Sequence, residues 1–364
     1  MGKIRILIVD DSVVVRRMVA EMLSADTALE VAATAPNGRI ALAKLPQVNP
    51  DLVLLDVEMP EMSGLATLAA LRKDYPRLPV IMFSRFTSRG ATVTLEALTL
   101  GASDYVTMPE NAGRAPQEVP ELRRQLIDKI KELCHADQPV GTKRGAAPTP
   151  ARVRPPSALG LSRPQRVEIV AIGASTGGPN ALATLIGALP AECPVPIVIV
   201  QHMPAAFTRL LAERLAARAA IGVVEGSGGT TLHPGSAWIA PGDCHMEVMR
   251  NAQQAVCLRL HQGPPENSCR PSVDVLFRSV AQMYGARTLA VVLTGMGQDG
   301  LRGCERIREA GGQVLVQDEG TSVVWGMPGL VARAGLADQV LPLEQLAPEI
   351  VRRIQKGQSL SFPG

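Results

Sequence analysis

The run from Arg166 to Pro179, RVEIVAIGASTGGP, constrains the fold more than any other stretch of the chain. Val167, Ile169, Val170 and Ile172 form a short apolar, β-branched run that stops at Gly173, and a helix-compatible segment begins past Gly178. The pattern predicts strand, tight glycine turn, helix. Gly173-Ala174-Ser175-Thr176-Gly177 fits G-x-S-x-G, in which small neighbours let a serine stand on a strand-to-helix corner with its hydroxyl exposed. Ser175 is therefore a candidate nucleophile. The N-terminus of the following helix would aim free N–H groups and a positive dipole end at the same place.

A chain of 364 residues should hold about two domains of roughly 150 residues each. The net charge of +3 is unevenly spread: Lys143, Arg144, Arg152, Arg154, Arg163 and Arg166 face a single acid, Asp137, across one segment, leaving the rest of the chain slightly acidic. That balance argues against a folded nucleic-acid-binding surface. No apolar run approaches the ~20 residues of a membrane span, and the opening MGKIRILIVDD lacks the apolar core of a signal peptide. No membrane insertion and a cytoplasmic address are expected. The six cysteines show no C-x-x-C spacing, so neither disulfides nor a structural zinc are expected.

Residues 1–133 alternate apolar strand candidates (Ile4 to Val9, Glu30 to Ala35, Leu52 to Leu55, Val80 to Phe83, Tyr105 to Thr107) with helical patterns, the last of them Pro120 to Leu133. Five βα units in this length predict an α/β, doubly wound parallel sheet of flavodoxin-like type. Chemistry in such sheets gathers beyond the carboxyl ends of strands. Asp10 and Asp11 follow the first strand there and Asp56 follows the third. Clustered carboxylates repel one another, and a hard cation such as Mg2+ would relieve that repulsion. With the charge neutralised, one carboxylate can attack a phosphoryl group.

ILIVDDS, DLVLLDVEMPEMSGL, the Ser84 that follows VIMF, and Tyr105 in DYVTMP resemble a response-regulator receiver domain over residues 1 to about 125. The resemblance implies that Asp56 accepts phosphate from a histidine kinase, that Asp10, Asp11 and Asp56 hold Mg2+, and that Ser84 and Tyr105 form the switch. One position departs from the pattern: where receivers carry a lysine, this chain reads Thr107-Met108-Pro109. A methionine cannot contact a phosphoryl oxygen as an ammonium does. Either a nearby base such as Arg85 compensates, or the switch is weakened.

Residues 134–165 hold Pro139, Pro148, Pro150, Pro155, Pro156 and Pro164 among Ala, Gly and Arg, too little apolar surface to fold, and predict a semi-extended linker. The α/β pattern resumes over residues 166–357 as a mostly parallel catalytic domain. Val195 to Val200 predicts a buried strand ending at Gln201-His202, Ser272 to Tyr284 a serine-capped helix, and Thr288 to Thr294 a second buried strand before Gly295-Met296-Gly297-Gln298-Asp299-Gly300. Gly222 to His261, rich in Gly, Thr and Pro, predicts an inserted β-hairpin region. Ser175, His202 and Asp299 each read as following a parallel strand, so that all three can meet in one crevice. Their types are those of nucleophile, general base and base-orienting acid, and a serine hydroxyl needs such help at neutral pH. His233, His245 and His261 lack metal-ligand spacing and read as structural.

AIGASTGGP, VIVQHMP, IAPGDCHMEV, RPSVDVLF, LTGMGQDG and GMP, in this order, resemble the catalytic domain of chemotaxis receptor methylesterases over about residues 167 to 355. The resemblance implies Ser175 as nucleophile, His202 as base and Asp299 as its partner, with Thr176, Met296 and Gly297 at the oxyanion and substrate pocket. It also implies hydrolysis of glutamate γ-methyl esters on methyl-accepting chemoreceptors, releasing methanol, deamidation of receptor glutamines, and no cofactor for the ester chemistry. The unphosphorylated receiver would cover the active-site face, and phosphate at Asp56 would loosen that cover. Two other readings stay open on the residues alone. The strand, glycine turn and helix suggest dinucleotide binding, although the turn is G-x-x-x-G-G and not G-x-G-x-x-G. A receiver with a basic linker suggests a DNA-binding regulator, although nothing in the second half reads as helix-turn-helix.

Overall fold

A computed structural model describes residues 2–85, 88–108, 119–136 and 166–358. In the first half, strands β1 (Ile4–Val9), β2 (Leu29–Ala35), β3 (Leu52–Asp56), β4 (Val80–Arg85) and β5 (Asp104–Met108) alternate with helices α1 (Val13–Ser24), α2 (Gly38–Val48), α3 (Gly64–Asp74), α4 (Ser88–Thr99) and α5 (Val119–Ala136). All pairings are parallel, in the order β2-β1-β3-β4-β5. Parallel strands covered on both faces need near-continuous apolar runs, and LVLL of β3 is buried throughout. Helix starts are fixed locally: the Ser12, Asn37 and Ser63 side chains each accept the backbone N–H three residues on. Helix α5 runs to Ala136, past position 134 where the linker is expected to begin; the rest of that linker and the Arg85 side chain lie outside the described residues.

The second half holds β6 (Ile169–Ala174), α6 (Gly178–Gly187), β7 (Ile197–Gln201), α7 (Ala205–Ala216), β8 (Gly222–Glu225), β9 (Ser236–Ile239), β10 (His245–Arg250), β11 (Val256–His261), α8 (Val273–Tyr284), β12 (Thr288–Val292), α9 (Leu301–Glu309), β13 (Gln313–Gln317), α10 (Met327–Arg333), β14 (Gln339–Leu341) and α11 (Leu343–Gln358). Seven of these strands form one parallel sheet ordered β14-β13-β12-β6-β7-β9-β8. The chain winds outward from β6 in one direction and then, from β12, in the other. The crevice where the winding reverses is where doubly wound sheets bind ligands.

The stretch expected to be hairpin material divides in two. Only β10 and β11 pair antiparallel as a separate hairpin, whereas β8 and β9 join the main sheet in parallel. Ala237, Trp238 and Ile239 are buried, which suits a strand covered on both faces and not a solvated hairpin.

The two halves share a core. One apolar cluster contains Leu95, Leu98 and Tyr105 of the first half together with Phe207 and Leu211 of the second. The Tyr105 and Phe207 rings stack at 4.8 Å with 15° between their planes. Asn180 Nδ2 donates to the Leu98 carbonyl at 2.6 Å, and the Arg214 guanidinium donates to the Leu95 carbonyl.

Candidate active site

Ser175 follows β6 directly. Its N–H donates to the Thr294 carbonyl at 3.1 Å, and its carbonyl accepts from Gly178 at 2.8 Å, closing the turn into α6. The sharp corner falls on Gly177, at φ 78°, and Ser175 keeps negative φ. Gly295 permits the close approach of the facing loop: a Cβ there would lie 2.8 Å from the Ser175 Cβ and 2.5 Å from the Met327 sulfur.

His202 follows β7. Its Nε2 and Asp299 Oδ2 are 2.8 Å apart, with the carboxylate 2% and the imidazole 13% exposed. Asp299 does not follow a strand directly as expected; it lies beyond a loop that leaves β12 after Val292 and reaches α9 through Gly300 at φ 95°. That loop carries the carboxylate to the N-terminus of α8, where Ser272 Oγ (2.8 Å), Val273 N (2.6 Å) and Asp274 N (3.1 Å) donate to it. Burial alone would raise the carboxyl, but the hydrogen bond and charge of His202 and the helix N–H groups hold it at about 2. Burial would likewise push the imidazole down, yet the neighbouring Cys269 sulfur and the bond to Asp299 lift it to about 10.

Ser175, His202, Met296 and Gly297 line one crevice of about 900 Å³ between the second-half sheet and helix α5, with Arg124 and Lys129 on the opposite wall. Ser175 and His202 both line the crevice, but the expected continuous hydrogen-bonded chain is not formed: among the described residues no bond joins the serine hydroxyl to the imidazole. Nδ1 faces the Cys269 sulfur at 3.7 Å instead. Among the described residues no acceptor takes the backbone N–H of Met296 or Gly297, which leaves both for a ligand in the crevice. Thr176 is 5% exposed and its hydroxyl donates to Asp104 of the first half at 2.7 Å.

Three residues that sequence reasoning missed shape this site. Gln201 Nε2 donates to the carbonyls of both Ser175 (2.9 Å) and His202 (3.3 Å), tying the ends of β6 and β7 together. Asn267, in the left-handed region at φ 52°, donates to Asp274 at 2.8 Å and to Asp299 at 2.9 Å, bridging two buried carboxylates. Cys269 completes the set. The expected serine cap of α8 was a partial signal for the Asp299 cradle: Ser272 caps Val275 N while its hydroxyl donates to Asp299. His245 is structural as expected, its Nε2 on the Pro264 carbonyl and its Nδ1 accepting from Ser272 N.

In the first half, carboxylate oxygens of Asp10, Asp11 and Asp56 lie within 4.8 Å of one another at the switch point between β1 and β3. Burial, then the charge of Asp10, raises Asp56 to about 7. A site where an ionised carboxylate is so disfavoured fits a hard divalent cation. Ser84, one residue before the end of β4, is 2% exposed and in register with Thr107, and Met108 closes β5 at 9% exposure.

The family model for the CheB methylesterase matches residues 170–350, and that for the response regulator receiver domain matches residues 6–119. A protein-glutamate methylesterase/protein-glutamine glutaminase of Trichodesmium erythraeum is 56% identical over 97% of this chain and 100% of its own length. The chain belongs to the CheB methylesterase family. A second relative with the same name, from a Nocardioides species, is 49% identical over 100% of this chain and 99% of its own. The crystal structure of the Thermotoga maritima CheB methylesterase catalytic domain covers 51% of this chain and 98% of its own at 41% identity, with a TM-score of 0.50. As a family member the chain is a carboxylic ester hydrolase joined to a receiver domain, and the dinucleotide-binding and DNA-binding readings fall away. No helix among the described residues is long and apolar enough to cross a membrane.

Proposed function

We propose that this enzyme hydrolyses glutamate γ-methyl esters on cytoplasmic segments of chemoreceptors, and deamidates receptor glutamines, with Ser175 as nucleophile, His202 as base and Asp299 as its orienting acid. The observation that carries the reading is the His202–Asp299 hydrogen bond opening on the crevice that Ser175 lines. The imidazole takes the Ser175 proton, the oxygen attacks the ester carbonyl, and the protonated imidazole returns the proton to the departing methoxide, releasing methanol. Water then repeats the sequence on the acyl-enzyme. The free N–H groups of Met296 and Gly297 suit the oxyanion; one such donor is typically worth ~3–4 kcal/mol. Thr176, expected at the pocket, does not line the crevice; its buried hydroxyl is engaged by Asp104.

The receiver regulates this site in the same reading. Asp56 accepts phosphate from a chemotaxis histidine kinase, and Asp10, Asp11 and Asp56 hold the Mg2+ that neutralises the phosphoryl charge. Ser84 and Tyr105 respond, and the receiver (1–133) draws away from the catalytic domain (166–357) on the 134–165 linker. The Tyr105–Phe207 stack and the Thr176–Asp104 hydrogen bond support a closed form. Purified full-length protein with a methylated receptor should release methanol, and Ser175→Ala should abolish release with circular dichroism unchanged. Undiminished release from that variant would remove Ser175 from the mechanism.

A further inference from the structure

The nitrogen of His202 that Asp299 does not engage faces a thiol. Cys269 Sγ is 3.7 Å from Nδ1, while Nε2 is held by the carboxylate at 2.8 Å. The thiol is placed by a tight turn: Asn267 and Ser268 both adopt positive φ, and Glu266 and Cys269 exchange backbone hydrogen bonds at 3.1 and 2.8 Å. Asn267 in turn is pinned to Asp274 and Asp299. The sulfur therefore sits beside the imidazole as part of a braced loop and not as a free surface side chain.

The spacing matches two ligands of one tetrahedral ion. Zinc binds sulfur at ~2.3 Å and imidazole nitrogen at ~2.0–2.1 Å, which at a tetrahedral angle sets N and S about 3.6 Å apart. A metal-binding histidine usually gives its other ring N–H to a carboxylate, the place Asp299 occupies. Donor atoms of His202, Cys269 and Asp299 all lie within 4.8 Å of one another. The pair opens on the crevice, which leaves room for water on the remaining coordination positions.

We propose that His202 and Cys269 form an inhibitory site for a soft divalent transition metal, Zn2+ above all, backed by Asp299. Metal on Nδ1 takes up the lone pair that would accept the Ser175 proton, so hydrolysis stops while the metal stays. Donor chemistry separates this site from the receiver cluster: thiolate and imidazole select zinc, whereas the three carboxylates of Asp10, Asp11 and Asp56 select magnesium. The inhibitory consequence rests on His202 being the base; the binding does not.

The test uses metal-free full-length protein with excess Mg2+ present to fill the carboxylate site. Co2+ is titrated as a spectroscopic substitute for zinc, into the wild type and Cys269→Ser. A thiolate-to-cobalt charge-transfer band in the wild type, absent from the variant, is expected. In the methanol-release assay Zn2+ should inhibit the wild type reversibly on adding a chelator. Cys269→Ser, scored against its own zinc-free rate, should need at least about ten-fold more Zn2+, the least that even an outer partner of a metal ligand is worth. No band in the wild type, or an equal band in Cys269→Ser, overturns the site. A Cys269-dependent band without inhibition overturns the inhibitory role and tells against His202 as base, leaving the binding intact. A wild type that releases no methanol fails the esterase reading alone, because the cobalt spectrum still decides the site.

Discussion

The Thr176 hydroxyl donates to the Asp104 carboxylate at 2.7 Å, joining the residue beside Ser175 to the receiver strand that carries Tyr105. Lys129 Nζ holds the same Asp104 oxygen at 2.6 Å, so the carboxylate cannot turn away without breaking an ion pair. A hydrogen bond to a charged group is worth ~1.5–3 kcal/mol net. Asp104→Ala should therefore loosen the closed form and raise methanol release without phosphodonor by about ten-fold or more, at 1.4 kcal/mol per factor of ten. An unchanged basal rate in a folded variant would show that this contact does not hold the receiver down.

The environment of His202 sets a pH dependence. Although burial opposes it, the Cys269 sulfur and Asp299 lift the imidazole to about 10, and in its proposed role as base the imidazole works only when deprotonated. The acidic limb of kcat/KM should thus extend into the alkaline range. Cys269→Ser removes the sulfur that helps to raise the imidazole, so the His202 pKa falls and the limb moves to lower pH, by roughly one unit for each 1.36 kcal/mol of lost interaction. A pH-rate profile of both proteins over the range where the fold is stable checks this; a limb that stays in place would mean that the thiol does not reach the base electrostatically.

Asp56 gives a second pH effect, of opposite origin. Burial and Asp10 raise its carboxyl to about 7, so the folded state binds that proton more tightly than the unfolded chain. The stabilising contribution is full below the ordinary carboxyl value of about 3.8 and is lost as pH rises through about 7. Mg2+ should offset that loss, raising Tm more at pH 8 than at pH 5.5, and Asp56→Asn should flatten the difference. Equal magnesium stabilisation at both pH values would place the ion elsewhere.

Much of this was legible in the sequence because parallel strands announce themselves as continuous apolar runs, and LVLL, IVIV and TLAVV each form the strand the pattern predicts. Residues next to strand ends were legible for the same reason, which is why Ser175, His202, Asp10 and Asp56 fall where expected. Asp299 was placed by the loop after β12, whose path no periodicity encodes. Asn267 and Cys269 lie in an irregular segment whose positive-φ turn depends on contacts with Asp274 and Asp299, 7 and 32 positions away. The parallel pairing of β8 and β9 was hidden by their short length and by the glycines and prolines around them. Thr176 gave no hint that its partner would be a receiver carboxylate 72 positions earlier.

Met108, standing where receivers carry lysine, is 9% exposed and belongs to one apolar cluster with Val324 of the catalytic half, against which Met296 also packs. The position that would report phosphate thus contributes apolar surface to a cluster shared by both halves. An ammonium placed there loses that packing, and an unpaired charge in an apolar setting is costly unless it finds a partner. Met108→Lys should consequently raise methanol release from the unphosphorylated enzyme. A phosphoryl analogue at Asp56 with Mg2+ should raise it further by giving the ammonium an anion to contact. Met108→Leu, a volume-conserving swap that usually costs under about 1.5 kcal/mol, should keep the wild-type basal rate and the wild-type response. If the lysine variant matches the leucine variant in both measurements, Met108 plays no part in coupling Asp56 to the crevice.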